Sequence, residues 1–271
     1  MDKFPLVSII LPVYNADKDE LINTVNSVKT QTYKNRELLV INDGSNNWIE
    51  KFLKSYDFGD ERIIVINNEK NLRLIKTLNR WLSLARWKYI ARIDDEDIRI
   101  DEKKIEKQIK FLEKYKEYWV CWTNWIAVDE MWKFLFSLNR EETDKEIRKT
   151  IMQRCPFLHV SVVFRKSCID ELWEYDEKWD YTEDHELWLR LWKKYKLYNI
   201  QENCVQFKMD PNWVSWKHKV IQRWNILKLG ILYRKFYSYT IIQLFSNIVN
   251  LMVSILPLNI IQFLMRIKNN I

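Results

Sequence analysis

Residues 7–43 read VSIILPVYNADKDELINTVNSVKTQTYKNRELLVIND, and this stretch decides the fold. Its first apolar run, Val7 to Asn15, predicts a strand that ends in a loop, and Glu37 to Asp43 predicts a second strand. Between the two runs, apolar residues recur at the spacing of one helical face. Strand, helix and strand in this order are typical of a mostly parallel sheet with flanking helices.

The same alternation continues to about residue 100, and the pattern then changes. Further elements are predicted in this order: strand Arg62–Ile66, helix Asn71–Arg86, strand Lys88–Asp94, a helix around 105–112, two strands between 119 and 137, helix Thr143–Arg154, strand His159–Arg165 and helix Thr182–Lys194. No Gly, Pro or Ser-rich linker divides this region. We therefore expect an α/β fold with a Rossmann-like sheet in one unit, residues 1–210, whose halves are about 1–100 and 101–210.

Composition and charge narrow the classes of protein. A hydrophobic fraction of 47% excludes intrinsic disorder. The formal net charge is +7, but the chain from Pro211 onward carries eight Lys or Arg residues and no Asp or Glu, so the basicity is confined to the tail. The four cysteines form no CxxC pair, which indicates neither a zinc site nor a disulfide framework and favours a reducing, cytosolic compartment.

The tail, residues 211–271, is basic, apolar and predicted to be helical. Its most apolar part, Tyr237 to Arg266, is interrupted by several amides and a proline, so an amphipathic segment at a membrane surface fits better than a spanning helix. Basic and apolar residues interleaved in this way favour an anionic membrane surface over nucleic acid. The alternative is a C-terminal helix that closes the soluble core.

Polar and acidic side chains follow three of the predicted strands. In an open parallel sheet, ligands bind beyond the carboxyl ends of the strands. The residues expected there are Pro12-Val13-Tyr14-Asn15, Asn42-Asp43-Gly44-Ser45 and Asp94-Asp95-Glu96-Asp97. Four consecutive carboxylates repel one another unless a cation neutralises them, and a hard divalent ion bound together with substrate phosphates would do so. The alternative is a solvated acidic loop or a helix N-cap cluster.

The order of these motifs resembles the inverting nucleotide-sugar glycosyltransferases of family 2, which have the GT-A fold. The matching segments are VSIILPVYN, QTYKNRELLVINDGS (31–45), KNLRLIKTLNR (70–80), YIARIDDEDI (89–98), PFLHVSVVFRK (156–166) and YTEDHELWLRL (181–191). One such string is weak evidence, whereas six in the right order are strong evidence. The resemblance covers most of residues 6–200 and implies a GT-A type fold.

The resemblance also implies a role for individual residues. The nucleotide would be bound by Pro12, Tyr14, Asn15, Asp43, Asn71, Asp94 and Asp95. The DxD motif of the family falls on Asp94 to Asp97, and a divalent metal, Mn²⁺ or Mg²⁺, would be held on the diphosphate by Asp94, Glu96 and Asp97. Glu96 stands where the family has Asp, which keeps the carboxylate but lengthens it by one methylene, so that Asp97 could replace it as a ligand.

The second half of the chain would supply the catalytic base. In the family, the acidic pair before the last helix of the domain takes this role, which falls here on Asp184, with Glu183 beside it. His159 would lie on the acceptor or diphosphate side of the site. A lone His within a strand is more often a hydrogen-bonded structural group, so both interpretations remain open for His159.

These features predict an enzyme that moves a sugar from a nucleotide-diphosphate sugar to a glycan or a lipid-linked acceptor with inversion, in cell-surface polysaccharide or glycoconjugate biosynthesis. The expected location is the cytoplasmic, inner face of the cell membrane, with no nucleic-acid partner. Two alternatives stay open. A nucleotidyltransferase is disfavoured because no Gly-rich, Lys-containing loop follows the first strand. The other alternative is a non-catalytic module of this fold that binds a membrane or a nucleic acid.

Tryptophan and glycine counts are anomalous. The chain has 3 Gly and 14 Trp, whereas average usage of about 7% would give roughly 19 Gly. Trp87 and Trp132 stand where a turn is expected, and Gly is the residue that tolerates unusual turn angles. Our hypothesis is that the codon UGA, read as glycine in some lineages, has been translated as tryptophan at several positions. The alternative is a divergent protein.

Overall fold

The structure is a computed structural model that describes residues 5–84, 87–172, 174–209, 217–237 and 239–256. The strands in this part of the chain are β1 (Val7–Val13), β2 (Arg36–Asn42), β3 (Ile63–Asn67), β4 (Tyr89–Arg92), β5 (Ile98–Arg99), β6 (Tyr118–Val128), β7 (Phe134–Leu138), β8 (Val163–Arg165) and β9 (Lys196–Lys208). The helices are α1 (Lys18–Lys29), α2 (Asn47–Ser55), α3 (Leu74–Leu84), α4 (Lys104–Lys114), α5 (Asp144–Thr150), α6 (Lys166–Leu172), α7 (Glu183–Trp192), α8 (Lys219–Tyr233) and α9 (Ile241–Ser254).

All the described strands belong to one sheet, in the order β3-β2-β1-β4-β8-β6-β9-β5, with β7 paired to β6. The first four strands in this order are parallel. Beyond β4 the pairing is mixed, because β8 is antiparallel to both neighbours while β6 and β9 run parallel. The Rossmann-like character predicted from the sequence is thus concentrated in the first half.

Strand β1 lies at the centre of the parallel half and is buried on both faces. Val7, Ile9 and Leu11 pack into one apolar cluster and Ile10 into the other. This double burial explains the nearly continuous apolar run in the sequence. Helix α1, which follows, begins at Asp17, whose side chain accepts hydrogen bonds from two backbone N–H groups of the first turn.

Most predicted elements are present, two differ in extent, and β5, α6 and β9 have no counterpart in the prediction. The predicted strand His159–Arg165 begins as a short 3₁₀ turn, His159–Ser161, and only Val163–Arg165 is a strand. The predicted helix Thr143–Arg154 ends at Thr150. Strand β9 was not predicted, because exposed polar residues near its middle interrupt the apolar pattern and its pairing with β6 contains register shifts.

The described part of the tail consists of α8 and α9. Helix α8 packs on the domain, since Leu229 and Tyr233 join the larger apolar cluster and the Tyr233 hydroxyl donates to Glu186 at 2.7 Å. Helix α9 instead turns large apolar side chains outward, and Ile241 is 85% exposed. No helix in the described residues combines the length and the apolar character that crossing a membrane requires. The tail predictions for 211–216 and 257–271 lie outside the described residues.

Several tryptophans occupy positions that suit a smaller residue. Trp132, in the hairpin between β6 and β7, has φ 61°, the left-handed region that favours glycine. The buried indole N–H groups of Trp81, Trp122 and Trp125 find no acceptor among the described residues, as is also true of Trp188. An unsatisfied buried donor costs about 1–3 kcal/mol. The backbone angle of Trp132 supports the decoding hypothesis, which stays a prediction.

Candidate functional site

The candidate site lies at the carboxyl ends of the parallel strands. β1 pairs with β2 on one side and with β4 on the other, so the chain reverses its direction of travel across the sheet at β1. Such a reversal opens a crevice beyond the strand ends, where ligands bind. The registers bring Val13 beside Asn42 and Ile10 beside Arg92, which gathers the loops after all three strands at this edge.

Asp43, at the end of β2, organises the loops on one side of the crevice. Its buried Oδ1 accepts hydrogen bonds from Asn68 Nδ2 at 2.7 Å, from the backbone N–H of Leu72 at 3.0 Å and from Thr77 Oγ1 at 2.7 Å. These donors come from the segment after β3 and from the start of α3. One carboxylate oxygen therefore fixes the position of α3 relative to the sheet.

Gly44, the next residue, is required by its surroundings. Its φ is 66°, and a Cβ built on it would lie 2.3 Å from the backbone N of Asn71. The loop after β2 therefore touches the backbone of the segment before α3 directly. Asn71 itself is exposed, and its Oδ1 accepts a hydrogen bond from the backbone N–H of Arg73 at 2.7 Å.

The loop after β1 is joined to the loop after β2. Asn15 has φ 53°, its backbone N–H donates to Ser45 Oγ at 3.0 Å and its Oδ1 accepts from the backbone N–H of Asn46 at 2.8 Å. Pro12 lies in β1 opposite Ile41. Tyr14 is 53% exposed at the mouth of the crevice. Of the five residues predicted on this side of the nucleotide, Tyr14, Asn15, Asp43 and Asn71 thus lie on three connected loops, and Pro12 lies near the end of β1.

The acidic turn, residues 94–97, connects β4 to β5. Thr24 Oγ1 on α1 lies 3.1 Å from the carbonyl oxygen of Asp95 and 2.9 Å from that of Asp97, which docks the turn on the helix. Asp97 is 3% exposed, whereas Asp94, Asp95 and Glu96 are half-buried. Three of the four acidic side chains therefore reach the surface of the crevice.

A buried arginine, Arg92, holds the first acid of this turn. Arg92 Nε and Nη2 each lie 3.1 Å from an Asp94 carboxylate oxygen, a two-pronged contact that the planar guanidinium favours. The pKa of Arg92 is raised above its usual value, although burial by itself would lower it. The upward shift comes from the charge of Asp94 and from Tyr175, Glu183 and Asp184. Glu183 and Asp184 therefore lie close enough to Arg92 to interact with its charge.

Electrostatics within the acidic turn bear on metal binding. Burial and the neighbouring charges of Asp94 and Glu96 raise the pKa of Asp95 to about 8, and burial and the same cluster raise the pKa of Asp97 well above its usual range. Among the described residues, no three acidic, His or Cys side chains converge as a metal site by themselves. The oxygen ligands suit Mg²⁺ or Mn²⁺ only if diphosphate and water complete the coordination, as is usual for Mg²⁺.

The predicted base lies at the start of α7. Asp184 Oδ1 accepts a hydrogen bond from the backbone N–H of His185 at 2.7 Å, and the Cys155 thiol lies 3.6 Å from Oδ2. Burial, and then the charge of Asp184, raise the pKa of the neighbouring Glu183 to about 8. A half-buried and a buried carboxylate thus stand side by side on the acceptor half of the molecule.

His159 is buried, and protein groups occupy both of its ring nitrogens. Arg92 Nη1 contacts Nδ1, and the Tyr175 hydroxyl lies 2.7 Å from Nε2. The structure therefore favours the interpretation of His159 as a hydrogen-bonded group inside the protein, because no ring nitrogen is left for a substrate.

Sequence reasoning missed Arg92, Tyr175 and the donors that surround Asp43. Arg92 stands two residues before Asp94, and an arginine inside an otherwise apolar strand is a signal that could have been used, because buried charges need partners. Nothing in the sequence places Tyr175 or Cys155 beside the site.

The fold defines a class of protein. Solved structures that resemble the chain include the Staphylococcus aureus protein TarS, residues 1–349, in complex with UDP-GlcNAc, with a TM-score of 0.63, 15% identity and coverage of 82% of this chain and 66% of that chain. A mannosyltransferase, PcManGT from Pyrobaculum calidifontis in complex with GDP-Man and Mn²⁺, has a TM-score of 0.68, 10% identity and coverage of 93% and 74%. The protein has the GT-A fold of the glycosyltransferases.

The sequence then places it more narrowly. The family described as glycosyl transferase family 2 matches residues 8–173. An uncharacterized glycosyltransferase of Methanocaldococcus jannaschii is 29% identical over 279 residues, which cover 99% of this chain and 95% of the relative. The putative glycosyltransferase EpsE of Bacillus subtilis is 32% identical over 218 residues, covering 78% and 76%. The chain belongs to glycosyltransferase family 2, which confirms the resemblance seen in the sequence.

Proposed function

We propose that the protein transfers a sugar from a nucleotide-diphosphate sugar to a hydroxyl group of a glycan or a lipid-linked acceptor, with inversion at the anomeric carbon. The observation that carries this proposal is the gathering of Asp43 and the acidic turn at the carboxyl ends of β2 and β4. Helix α7, which carries the Glu183–Asp184 pair, packs through Trp188 against His159, the partner of Arg92. Relatives named for amylovoran and teichuronic acid biosynthesis support a role in polysaccharide synthesis.

The donor is assigned to the edge formed by the connected loops. The nucleotide would contact Pro12, Tyr14, Asn15, Asp43, Asn71, Asp94 and Asp95. The hydrogen bonds between the loops after β1 and β2 support this assignment, because they hold these residues together beyond the carboxyl ends of the strands, where ligands bind. UDP and GDP-mannose complexes of the structural neighbours are consistent with a nucleotide donor.

A divalent cation, Mn²⁺ or Mg²⁺, is assigned to the diphosphate side. The ligands would be Asp94 and Glu96, together with Asp97, which is buried in the same turn. When bound, such a cation supplies Lewis-acid stabilisation of the charge that develops on the leaving diphosphate. Burial, and then repulsion between the neighbouring carboxylates, raise the pKa values of Asp95 and Asp97, and a bound cation would relieve the repulsion.

Asp184 is assigned as the general base. Its carboxylate would accept the proton of the acceptor hydroxyl as that oxygen attacks the anomeric carbon from the face opposite the nucleotide. One base is sufficient, because the nucleotide leaves as a stabilised anion. Glu183 lies beside Asp184 on this acceptor side. His159 is assigned no direct contact with the diphosphate or the acceptor, because Arg92 and Tyr175 occupy its two ring nitrogens.

The acceptor side includes a membrane surface. Helix α9 exposes Ile241, Phe245 and Met252 at the spacing of one helical face, and α8 carries basic residues without any acid. An apolar stripe beside cationic side chains complements an anionic lipid surface. We assign the protein to the inner, cytoplasmic face of the cell membrane, where a lipid-linked acceptor would be within reach.

Calorimetric titration tests the donor site. UDP, GDP and dTDP are each titrated with and without Mn²⁺ into the wild type, Asp94→Asn and Asp60→Asn. Asp60 is the matched control, because Arg62 contacts it through two nitrogens, as Arg92 contacts Asp94, but in the loop before β3. Metal-dependent binding of one nucleotide is expected, weakened but still measurable in Asp94→Asn and unchanged in Asp60→Asn, and absence of binding to the wild type would overturn the proposal.

Two further measurements separate the other assignments. Asp184→Asn is expected to retain nucleotide binding but lose transfer, and NMR of the product would show the inverted anomer. The double variant Phe245→Ser/Met252→Ser is expected to lose binding to phosphatidylglycerol vesicles. Met131→Ser, which removes an equally exposed apolar side chain from the β6–β7 hairpin, is the control and should bind normally. Vesicle binding that survives in the double variant would contradict the membrane assignment.

A further inference from the structure

A row of four side chains runs from the acidic turn into the interior, in the order Asp94, Arg92, His159 and Tyr175. Arg92 grips Asp94 through Nε and Nη2, and its Nη1 contacts His159 Nδ1. His159 Nε2 lies 2.7 Å from the Tyr175 hydroxyl. Arg92, His159 and Tyr175 are all buried, so this row is part of the packed body of the protein.

The contacts fix where the protons are. Arginine can only donate, so His159 Nδ1 must accept from Arg92, and Nε2 must carry the proton and donate to the Tyr175 oxygen. Burial, and then the positive charge of Arg92, hold the pKa of His159 well below its usual range, which agrees with a neutral ring. The ring therefore acts as a fixed spacer between Arg92 and Tyr175.

The far end of the row is anchored to α3. The backbone carbonyl and N–H of Tyr175 are both hydrogen-bonded to the buried side chain of Asn79, each at 2.8 Å. The same helix carries Thr77, which donates to Asp43. The imidazole also meets the Trp188 ring of α7 edge to face, with 5.7 Å between ring centroids. The row is thus held by elements of both halves of the site.

Arg92 has more than one acidic neighbour. Asp94 is its bonded partner, while Glu183 and Asp184 also act on its charge. If only electrostatic attraction held the guanidinium, it could turn toward Asp94 or toward the Glu183–Asp184 pair. The contact with His159 occupies Nη1 and leaves the Nε–Nη2 edge for Asp94, which selects one partner by geometry.

We propose that Arg92 is a positioning residue that holds the Asp94 carboxylate for the donor, and that His159 and Tyr175 set donor affinity by fixing Arg92. Tyr175 is buried and is joined to Asp94 only through His159 and Arg92, so its influence on the donor would pass through these two side chains. The inference rests on the proposed function, because Asp94 is there a ligand of the donor.

Tyr175→Phe is the first test, with Tyr233→Phe as its matched control. Each change removes one buried hydroxyl with a hydrogen-bond partner at 2.7 Å, but Tyr233 bonds to Glu186 on α7 and has no link to Asp94. Both variants are expected to lose similar thermal stability. Only Tyr175→Phe is expected to raise the calorimetric Kd of the preferred nucleoside diphosphate with Mn²⁺, by about fivefold, and Tyr233→Phe should stay within about twofold of the wild type.

A double-mutant cycle shows whether the effect runs through Asp94. The Kd change caused by Tyr175→Phe is expected to vanish in an Asp94→Asn background and to persist in a Tyr14→Ala background, because Tyr14 contacts the donor independently of the row. Arg92→Lys, which keeps the positive charge but not the two-pronged contact, is expected to raise Kd by at least as much as Tyr175→Phe.

The outcomes separate this inference from the proposed function. If the wild type binds none of the three nucleotides, both are overturned. If the wild type binds and the two Phe variants behave alike, the positioning role of the row is overturned while the proposed function stands. A Tyr175→Phe effect of undiminished size in the Asp94→Asn background would also overturn the positioning role, since the effect would then not depend on Asp94.

Discussion

The loop after β2 and the start of α7 each bury a carboxylate, and they treat it in opposite ways. Asp43, in the first region, accepts three hydrogen bonds from neutral donors on one oxygen. Glu183, in the second, lies beside another carboxylate, and burial together with that neighbour raises its pKa to about 8. Burial alone therefore does not decide what an acid does. Its partners make Asp43 a structural anchor and leave Glu183 able to take up a proton near neutral pH.

The largest effect is expected from breaking the loop after β2 at Gly44. Gly44→Ala places a Cβ 2.3 Å from the backbone of Asn71 at a φ of 66°. The left-handed angle costs about 1–2 kcal/mol and the overlap about 1–3 kcal/mol more, so chemical denaturation should show a loss of about 4 kcal/mol. Gly59→Ala is the control, because φ is 64° there but the nearest atom is a lysine amine at 3.8 Å. Equal losses in both variants would contradict the close approach.

Removing the Asp43 carboxylate should have the next largest effect. Asp43→Ala leaves three donors without their acceptor, at about 1–3 kcal/mol each and less than additively, so a loss of about 3 kcal/mol in unfolding free energy is expected. Asp17→Ala is the control, because Asp17 also accepts two backbone N–H groups but at the exposed start of α1. That change should cost about 1 kcal/mol. A smaller loss for Asp43 than for Asp17 would show that the anchor is not needed.

The pH dependence of stability should reveal Glu183. Its folded pKa of about 8 lies above the unfolded value of about 4.3. At any pH between these two values, the carboxyl group is protonated in the folded state and ionised in the unfolded state. Stability therefore falls as pH rises through this window. Glu183→Gln should remove this component and be more stable than the wild type at pH 8.5. Urea unfolding at several pH values measures it.

Glu50→Gln is the control for that series. Glu50 lies in the first turn of α2 and forms a solvent-accessible ion pair with Lys54. This variant should follow the pH dependence of the wild type. Parallel curves for the wild type and Glu183→Gln would mean that Glu183 is ionised in the folded protein, and the contrast with Asp43 would disappear.

The smallest effect is expected for Trp132. Its φ lies in the left-handed region, like that of Gly44, but its side chain is not blocked by neighbouring backbone atoms. Trp132→Gly removes a cost of about 1–2 kcal/mol and the contact of Lys208 with the ring, worth about 0.5–1 kcal/mol. A gain of about 0.5–1 kcal/mol is expected in denaturant titrations.

Peptide mass spectrometry of protein from its native cells is expected to show glycine at positions 81, 87 and 132, and tryptophan there would end the decoding hypothesis.

The sequence predicts the parallel half of the fold better than the mixed half. The parallel strands β1, β2 and β4 are predicted as short apolar runs because both of their faces are buried, and polar residues mark their ends. Strand β9 has exposed polar residues in its middle and pairs with β6 through register shifts, so its pattern is not periodic. The apolar residues from His159 onward predict a strand. A 3₁₀ turn buries such residues equally well, so the sequence does not distinguish the two.

The candidate site shows the same contrast between what the local sequence predicts and what long-range packing decides. Asp43, Asp94 and Asp184 were predicted because each stands at the end of a strand or the start of a helix within a recognisable motif. Their partners were not, because Asn68, Tyr175 and Cys155 reach the site through tertiary packing between segments far apart in the chain. A sequence pattern shows which acids are placed at an edge, whereas only the folded structure shows which groups satisfy them.

The short strand β5 has a consequence for the order in which the protein matures on the ribosome. β5 closes the acidic turn by pairing Ile98 with Gln206 and Arg99 with Val205, partners that lie more than 100 residues later in the chain. A nascent chain that has exposed β1 to β4 has the loops after β1 and β2 but not the strand partner that closes the acidic turn. The acidic turn can therefore be completed only after residues 205 and 206 have been synthesised.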